Sequence, residues 1–216
     1  MLKHKDATNH GIDIAKSRVD DLDKEVIRCA LGYKGRKVAV DIGSGRSRLS
    51  HILALLGFEV WMYDIENHSK YCATLEKSGG LGGRLHFKQI DIADISYADL
   101  PDDIVIVVSQ RTLHHVPHQA AKNILEKVSS KMITGGKLFA SVSSTESKFV
   151  GEYDCADSPV ENRFCRVVGS DDFYAIDTPV CLYKEKEVVD MLEEAGLTVE
   201  KVYKSTFGNI KAICSK

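Results

Sequence analysis

No stretch of the 216-residue chain approaches the run of about 18 apolar residues that a membrane-spanning helix requires. The opening, Met1-Leu2-Lys3-His4-Lys5-Asp6, lacks the apolar core of a secretory signal, so no membrane partner is expected. Positive charge is not in excess either: 29 Lys and Arg against 31 Asp and Glu leave a formal net charge of −2. Counterion release from nucleic acid needs clustered cations, and this balance weighs against a nucleic acid partner. Cysteine pairs of the CxxC kind are also missing, since Cys29, Cys72, Cys155, Cys165, Cys181 and Cys214 lie far apart. In a chain able to build a sizeable apolar core they read as reduced thiols of a cytoplasmic protein, not as zinc ligands or disulfides. There is no internal repeat. What remains is 44% hydrophobic and 28% charged, the balance of one globular domain in the α/β size class.

Helical and extended patterns alternate along the chain. Ile12, Ala15, Val19, Leu22 and Val26 recur every three or four residues and predict a helix from Ile12 to Leu31. From Val38 the rhythm changes. Strands are predicted at Val38–Ile42, Glu59–Tyr63, Leu85–Ile90, Ile104–Ser109 and Lys137–Val142. Helices are predicted at Arg48–Leu56, His68–Lys77 and His118–Met132, with Leu49, Ile52, Leu53 and Leu56 inward on the first. Such alternation implies right-handed crossovers and a parallel sheet buried on both faces, and the nearly unbroken apolar strands agree. A last helix, Glu185–Ala195, stops at Gly196. Two strands near Thr198–Lys204 and Asn209–Cys214 follow, with a link so short that they must be antiparallel.

The densest local signal is Asp41-Ile42-Gly43-Ser44-Gly45-Arg46-Ser47-Arg48, between a strand and a helix, where an open α/β sheet binds its ligand. Gly43 and Gly45 let the backbone approach a ligand with no Cβ in the way. A dinucleotide fingerprint wants a small residue at the sixth position, which here is Arg48. Asp41, inside the turn, would also repel a pyrophosphate. Both features suit a cofactor without phosphates that carries positive charge, and S-adenosylmethionine fits.

On these residues the chain resembles the class I S-adenosylmethionine-dependent methyltransferases, in particular the small-molecule group. Their first motif, an acidic residue followed by Gly-x-Gly-x-Gly, stands here as Asp41-x-Gly43-x-Gly45-x-Ser47, with serine in place of the third glycine. The resemblance covers Lys37 to Val142 well. It implies a doubly wound (Rossmann-like) seven-stranded mixed sheet, order 3-2-1-4-5-7-6, ending in an antiparallel hairpin. It assigns Asp64 to the ribose hydroxyls, Ile65 to the adenine face and Asp91-Ile92 to the adenine edge. Asp41, Gly43, Ser44, Gly45 and Ser109 complete the expected cofactor site. Helix-cap and turn roles are the competing readings for each aspartate. Ser109-Gln110-Arg111-Thr112-Leu113-His114-His115 looks like the family's Leu-His-His segment below the transferred methyl group. The Asn/Asp-Pro-Pro-aromatic tetrapeptide of nucleic-acid amino-methyltransferases is absent.

A sulfonium methyl is already activated, so the protein need only align an acceptor and exclude water. His115 and His114 are the base candidates; the other reading has one packed beneath adenine and one capping the helix near Pro117. Arg111 is either a fork for a substrate carboxylate or phosphate or a salt-bridge partner. His114, His115 and His118 are not expected to hold a metal. Residues 143–181 break the rhythm and hold eight acidic and three basic residues. They read as a substrate cover that favours a small neutral or cationic acceptor. Tyr174 beside Phe173, and His10 from the segment Thr8-Asn9-His10, are the candidate substrate contacts; the two aromatics could equally be core. The expected layout is a helical cap (1–35), a cofactor core (36–142), the cover (143–181) and a closing helix with hairpin (182–216). Three rivals to small-molecule methyl transfer stand: a silent binding domain, a methyltransferase acting on RNA or protein, and an NAD-dependent oxidoreductase.

Overall fold

The computed structural model describes residues 20–46, 48–147, 153–167 and 178–216. The first helix, α1, runs Asp21–Gly32. It begins later than the periodicity suggests because Asp20 and Asp23 form a reciprocal capping box, each carboxylate taking the other's backbone N–H at 3.0–3.1 Å. That pairing satisfies two of the orphan donors at a helix start. The predicted portion from Ile12 to Val19 lies outside the described residues.

The core alternates as expected: β1 (Val38–Ile42), α2 (Arg48–Leu55), β2 (Glu59–Asp64), α3 (Ser69–Gly79), β3 (Leu85–Gln89), β4 (Ile104–Gln110), α4 (His118–Lys131) and β5 (Met132–Val142). Two short 3₁₀ turns, Ile92–Asp94 and Tyr97–Asp99, replace a helix between β3 and β4. Strand β5 starts five residues before the prediction, through a register shift opposite Ile104 that Gly135 permits with φ +82°. On α2 the buried face is Leu49, Ser50, Leu53 and Ala54, with Ile52 and Leu56 only half-buried. The helix is turned so that Ser50 reaches the end of β1.

After β6 (Phe164–Cys165) and β7 (Val180–Cys181), which pair antiparallel, come α5 (Glu185–Glu194), β8 (Thr198–Lys204) and β9 (Ile210–Ser215). The main sheet runs β3-β2-β1-β4-β5-β9-β8, parallel through β5 and antiparallel at β9 and β8. With the small β6–β7 pair set aside, this is the expected order. Strand β1, buried along its length, pairs with both β2 and β4. The strand order therefore reverses there, and a crevice opens at the carboxyl ends of β1 and β4. One apolar layer joins α4 and α5 to the sheet through Ile124, Leu125, Val128, Met191 and Leu192. The other joins α1, α2 and α3 through Leu22, Val26, Leu53 and Cys72.

The segment after β5 corrects the expectation of reduced thiols, for Cys155 and Cys165 form a disulfide. The same segment is tied to α5 by Arg163. This arginine is buried; its fork meets Glu187 at 2.6 and 2.9 Å and its remaining N–H groups donate to the carbonyls of Ser158 and Leu182. Burial of a guanidinium is tolerated because every donor has an acceptor. Cys29, Cys72, Cys181 and Cys214 lie outside this disulfide, the last three of them buried.

Candidate active site

The turn after β1 takes its shape from two left-handed glycines, Gly43 at φ +69° and Gly45 at φ +53°. Its backbone is moored to the end of β2: the N–H groups of Gly43 and Ser44 donate to the Tyr63 carbonyl at 2.8 and 3.1 Å. A Cβ built on Gly43 would land on the Thr112 side chain, so the turn and the loop after β4 touch at a point only glycine allows. The Gly45 N–H donates to Asp64 Oδ2 at 2.8 Å and the Glu66 N–H to Asp64 Oδ1 at 2.9 Å. Each carboxylate oxygen keeps a second acceptor position. Ser44 Oγ is buried beside these groups with no hydrogen-bond partner.

Asp41 lies beneath the turn, buried, and accepts from Ser50 Oγ. Burial pushes its carboxyl up to about 7; the Ser50 hydrogen bond opposes the rise, while the charges of Asp64 and Asp23 add to it. The part played by Asp23 was not expected from the sequence. Its Oδ2 takes Arg48 at 2.8 Å and its Oδ1 takes Gln110 Nε2 at 2.6 Å, while the buried Lys211 pairs with the neighbouring Asp20 at 2.7 Å and with Asp21. The available signal was Asp20-x-x-Asp23 at a helix start. Nothing local announced its partner 87 residues away.

Ser109 is buried on β4 with an unpartnered Oγ. Arg111 then adopts φ +55°, uncommon for a side chain with a Cβ, and its N–H donates to the Ser141 carbonyl at 2.8 Å. Its half-buried guanidinium makes no ion pair with any described residue. A 3₁₀ turn, Leu113–His115, follows. His114 is buried, and the Ser143 N–H donates to its Nδ1 at 3.4 Å while Nε2 faces Ser143 Oγ at 3.4 Å. His115 is half-buried, with its ring 4.2 Å from that of His114. His118 is buried 5.8 Å from the Tyr183 ring, and desolvation pulls its imidazole below the usual range.

At the end of β3, which pairs with β2, Asp91 caps a 3₁₀ turn by accepting the Ala93 N–H at 2.9 Å. Ile92 is turned into the core and Ile65 is 41% exposed. Sheet register thus brings Asp41, Gly43, Ser44, Gly45, Asp64, Asp91, Ser109 and Arg111 to one edge. His10, Ser47, Phe173 and Tyr174 lie outside the described residues.

No curated protein matches this chain in sequence. Solved structures match in fold. An S-adenosylmethionine-dependent methyltransferase from Clostridium acetobutylicum is similar at 16% identity and a TM-score of 0.67 over 94% of both chains. A 1,6-didemethyltoxoflavin-N1-methyltransferase from Burkholderia thailandensis, solved with bound 1,6-didemethyltoxoflavin and S-adenosylhomocysteine, is similar at 16% identity and a TM-score of 0.66, over 94% of this chain and 81% of that one. A methyltransferase from Methanosarcina mazei is similar at 20% identity and a TM-score of 0.63, over 85% and 94%. A family model for a methyltransferase domain matches residues 34–196, which takes in the glycine turn, the Leu-His-His turn and all of the parallel sheet: the chain belongs to the methyltransferase domain family.

Proposed function

We propose that this protein transfers the methyl group of S-adenosylmethionine to a small-molecule acceptor in the crevice at the ends of β1 and β4. The observation that carries this reading is the pairing of a two-glycine turn with acidic groups on the strands either side of it. Asp41 and Asp64 make the crevice hospitable to a cationic adenosyl group and hostile to a pyrophosphate. The residues fit such a group. The left-handed Gly43 and Gly45 shape the turn, and the buried Ser44 and Ser109 hydroxyls offer hydrogen bonds that no described residue takes. S-adenosylmethionine supplies, when bound, a methyl group activated by its sulfonium.

In this reading Asp64 accepts from the ribose hydroxyls through its remaining lone pairs, Ile65 covers the adenine, and Asp91 with Ile92 borders its edge. Asp41 balances the positive charge. His115, the more open of the two histidines, receives the acceptor's proton, and His114, held by Ser143, positions it through ring contact. Arg111, whose backbone is already in a strained conformation, presents its fork to the acceptor. Tyr174 and His10 remain assigned to the acceptor side, and 143–181 to its cover.

Among the described residues no helix is long and apolar enough to cross a membrane. Cytoplasmic residence belongs to the proposal, and the Cys155–Cys165 bond runs against it. Comparing the intact mass of the native protein with and without alkylation of free thiols tests whether that bond forms. The activity itself is tested by methyl transfer from labelled donor into small-molecule and macromolecular fractions of a cell extract. Label confined to RNA or protein, or no label at all, would overturn it.

A further inference from the structure

Among the described residues, Asp103 and Arg111 are the two that take a left-handed backbone without being glycine, at φ +60° and +55°. Aspartate is at ease there, and Asp103 is exposed and paired with Arg36 at 2.8 Å. Arginine is not, and Arg111 stands at the crevice. The residue before it, Gln110, is held by Asp23 at 2.6 Å. The residue after it, Thr112, fills the space that a Cβ on Gly43 would need. Its own N–H is shared between the carbonyl and Oγ of Ser141, at 2.8 and 3.1 Å. The backbone is thus fixed by both neighbours and by Ser141. The half-buried guanidinium, in contrast, has neither a hydrogen bond nor an ion pair with any described residue. Asp41, Asp64 and Asp91 lie along the same edge, but they accept from Ser50, from the Gly45 and Glu66 N–H groups, and from the Ala93 N–H.

Resting on the methyl-transfer reading above, we propose that the acceptor is a small anion: the Arg111 fork binds its carboxylate or phosphate, and the methylated atom is a different one. A guanidinium matches two oxygens of either group. Pairing with the reacting atom itself would oppose transfer, because that atom loses negative charge as the methyl arrives and the pair weakens towards the transition state. A remote handle keeps its charge throughout. In the step, an acceptor oxygen or nitrogen forms the new bond to carbon, the carbon–sulfur bond breaks with its electron pair left on sulfur, and the acceptor's proton passes to His115. The product therefore stays anionic. The acidic surplus of residues 143–181 opposes an anion only at long range, where salt screens it within about 10 Å; the fork acts in contact.

The test uses the whole chain and methyl-labelled S-adenosylmethionine. The small-molecule fraction of a cell extract is split on an anion exchanger at pH 8 into unbound and eluted pools. Label should enter the eluted pool alone, in a product that still binds the exchanger and releases no methanol in dilute alkali. Phosphatase treatment of that pool beforehand tells a phosphate handle, which is lost, from a carboxylate, which survives. Arg111→Asn suits the left-handed backbone and so keeps the fold. It should lower transfer at limiting acceptor by about thirtyfold or more, while S-adenosylhomocysteine binding by calorimetry stays within about twofold of wild type. Arg111→Lys, a charge without the fork, should fall between the two. Label taken up from the unbound pool, alkali-labile label, unchanged transfer by Arg111→Asn, or an equal loss of its S-adenosylhomocysteine affinity overturns the proposal alone. A wild type that labels neither pool overturns the methyl-transfer reading, and the proposal with it.

Discussion

The backbone N–H of Gly45 points at Asp64 Oδ2, 2.8 Å away, so the carboxylate at the end of β2 shapes the turn after β1. Asp64 therefore has two duties: it orders the glycine turn, and in the proposed function it also takes the ribose. Replacing it with alanine should weaken donor binding at least tenfold in calorimetry. It should also cost about 1–3 kcal/mol of stability, since two backbone donors lose an acceptor. An Asp64→Ala protein that binds the donor as tightly as wild type would refute the ribose assignment.

Gly43 lies against Thr112 with φ +69°. Gly43→Ala should destabilise the fold by about 2–4 kcal/mol in urea, from overpacking together with left-handed strain. Adding Thr112→Gly should recover the steric share only. Full recovery would mean that backbone conformation at Gly43 is unimportant.

Asp41 carries a pH signature. Its carboxyl rises from 3.8 to about 7 in the folded protein, chiefly through burial. Between those values the folded state holds more protons than the unfolded chain, so stability falls as pH rises through the window. The penalty is complete above about pH 7, at an upper limit of about 4 kcal/mol. Chemical denaturation of Asp41→Asn at pH 5 and pH 8 should show this slope removed. A cationic donor favours the ionised carboxylate, so its affinity should rise from pH 6 to pH 8 with proton release. The groups facing Asp41 that share in this are Ser50, Asp64 and Asp23. Donor affinity independent of pH in the wild type would argue against Asp41 balancing the donor's charge.

Arg163 and Glu187 couple the segment after β5 to α5. Arg163→Met leaves a part-buried carboxylate without its fork and should cost about 3 kcal/mol. Hydrogen exchange should quicken at the amides of Leu182 and Lys184, which bond to Tyr153 and Glu187. Exchange confined to wild-type rates there would show that the pair does not anchor the segment.

Much of this protein was written locally. Strand and helix spans from Val38 onward follow hydrophobic period, and Gly43, Gly45 and Asp41 mark the turn because backbone geometry and charge at one point depend on neighbours in sequence. The same local reading marked Arg48 as too bulky for a dinucleotide site. Its partner was not legible: Asp23, Gln110 and Arg48 meet only once α1, α2 and β4 are packed. The capping box at Asp20 cut α1 to a later start, and Ser50, not Ile52, turned inward to meet Asp41. Cysteine spacing gave no hint that Cys155 and Cys165 would come together, nor did composition distinguish the buried Arg163 from a solvated one. Periodicity and turn chemistry act over a few residues, so the sequence by itself determined the elements and the kind of ligand they suit. Which charges face one another across the crevice is a property of distances between elements, and only the tertiary structure decided it.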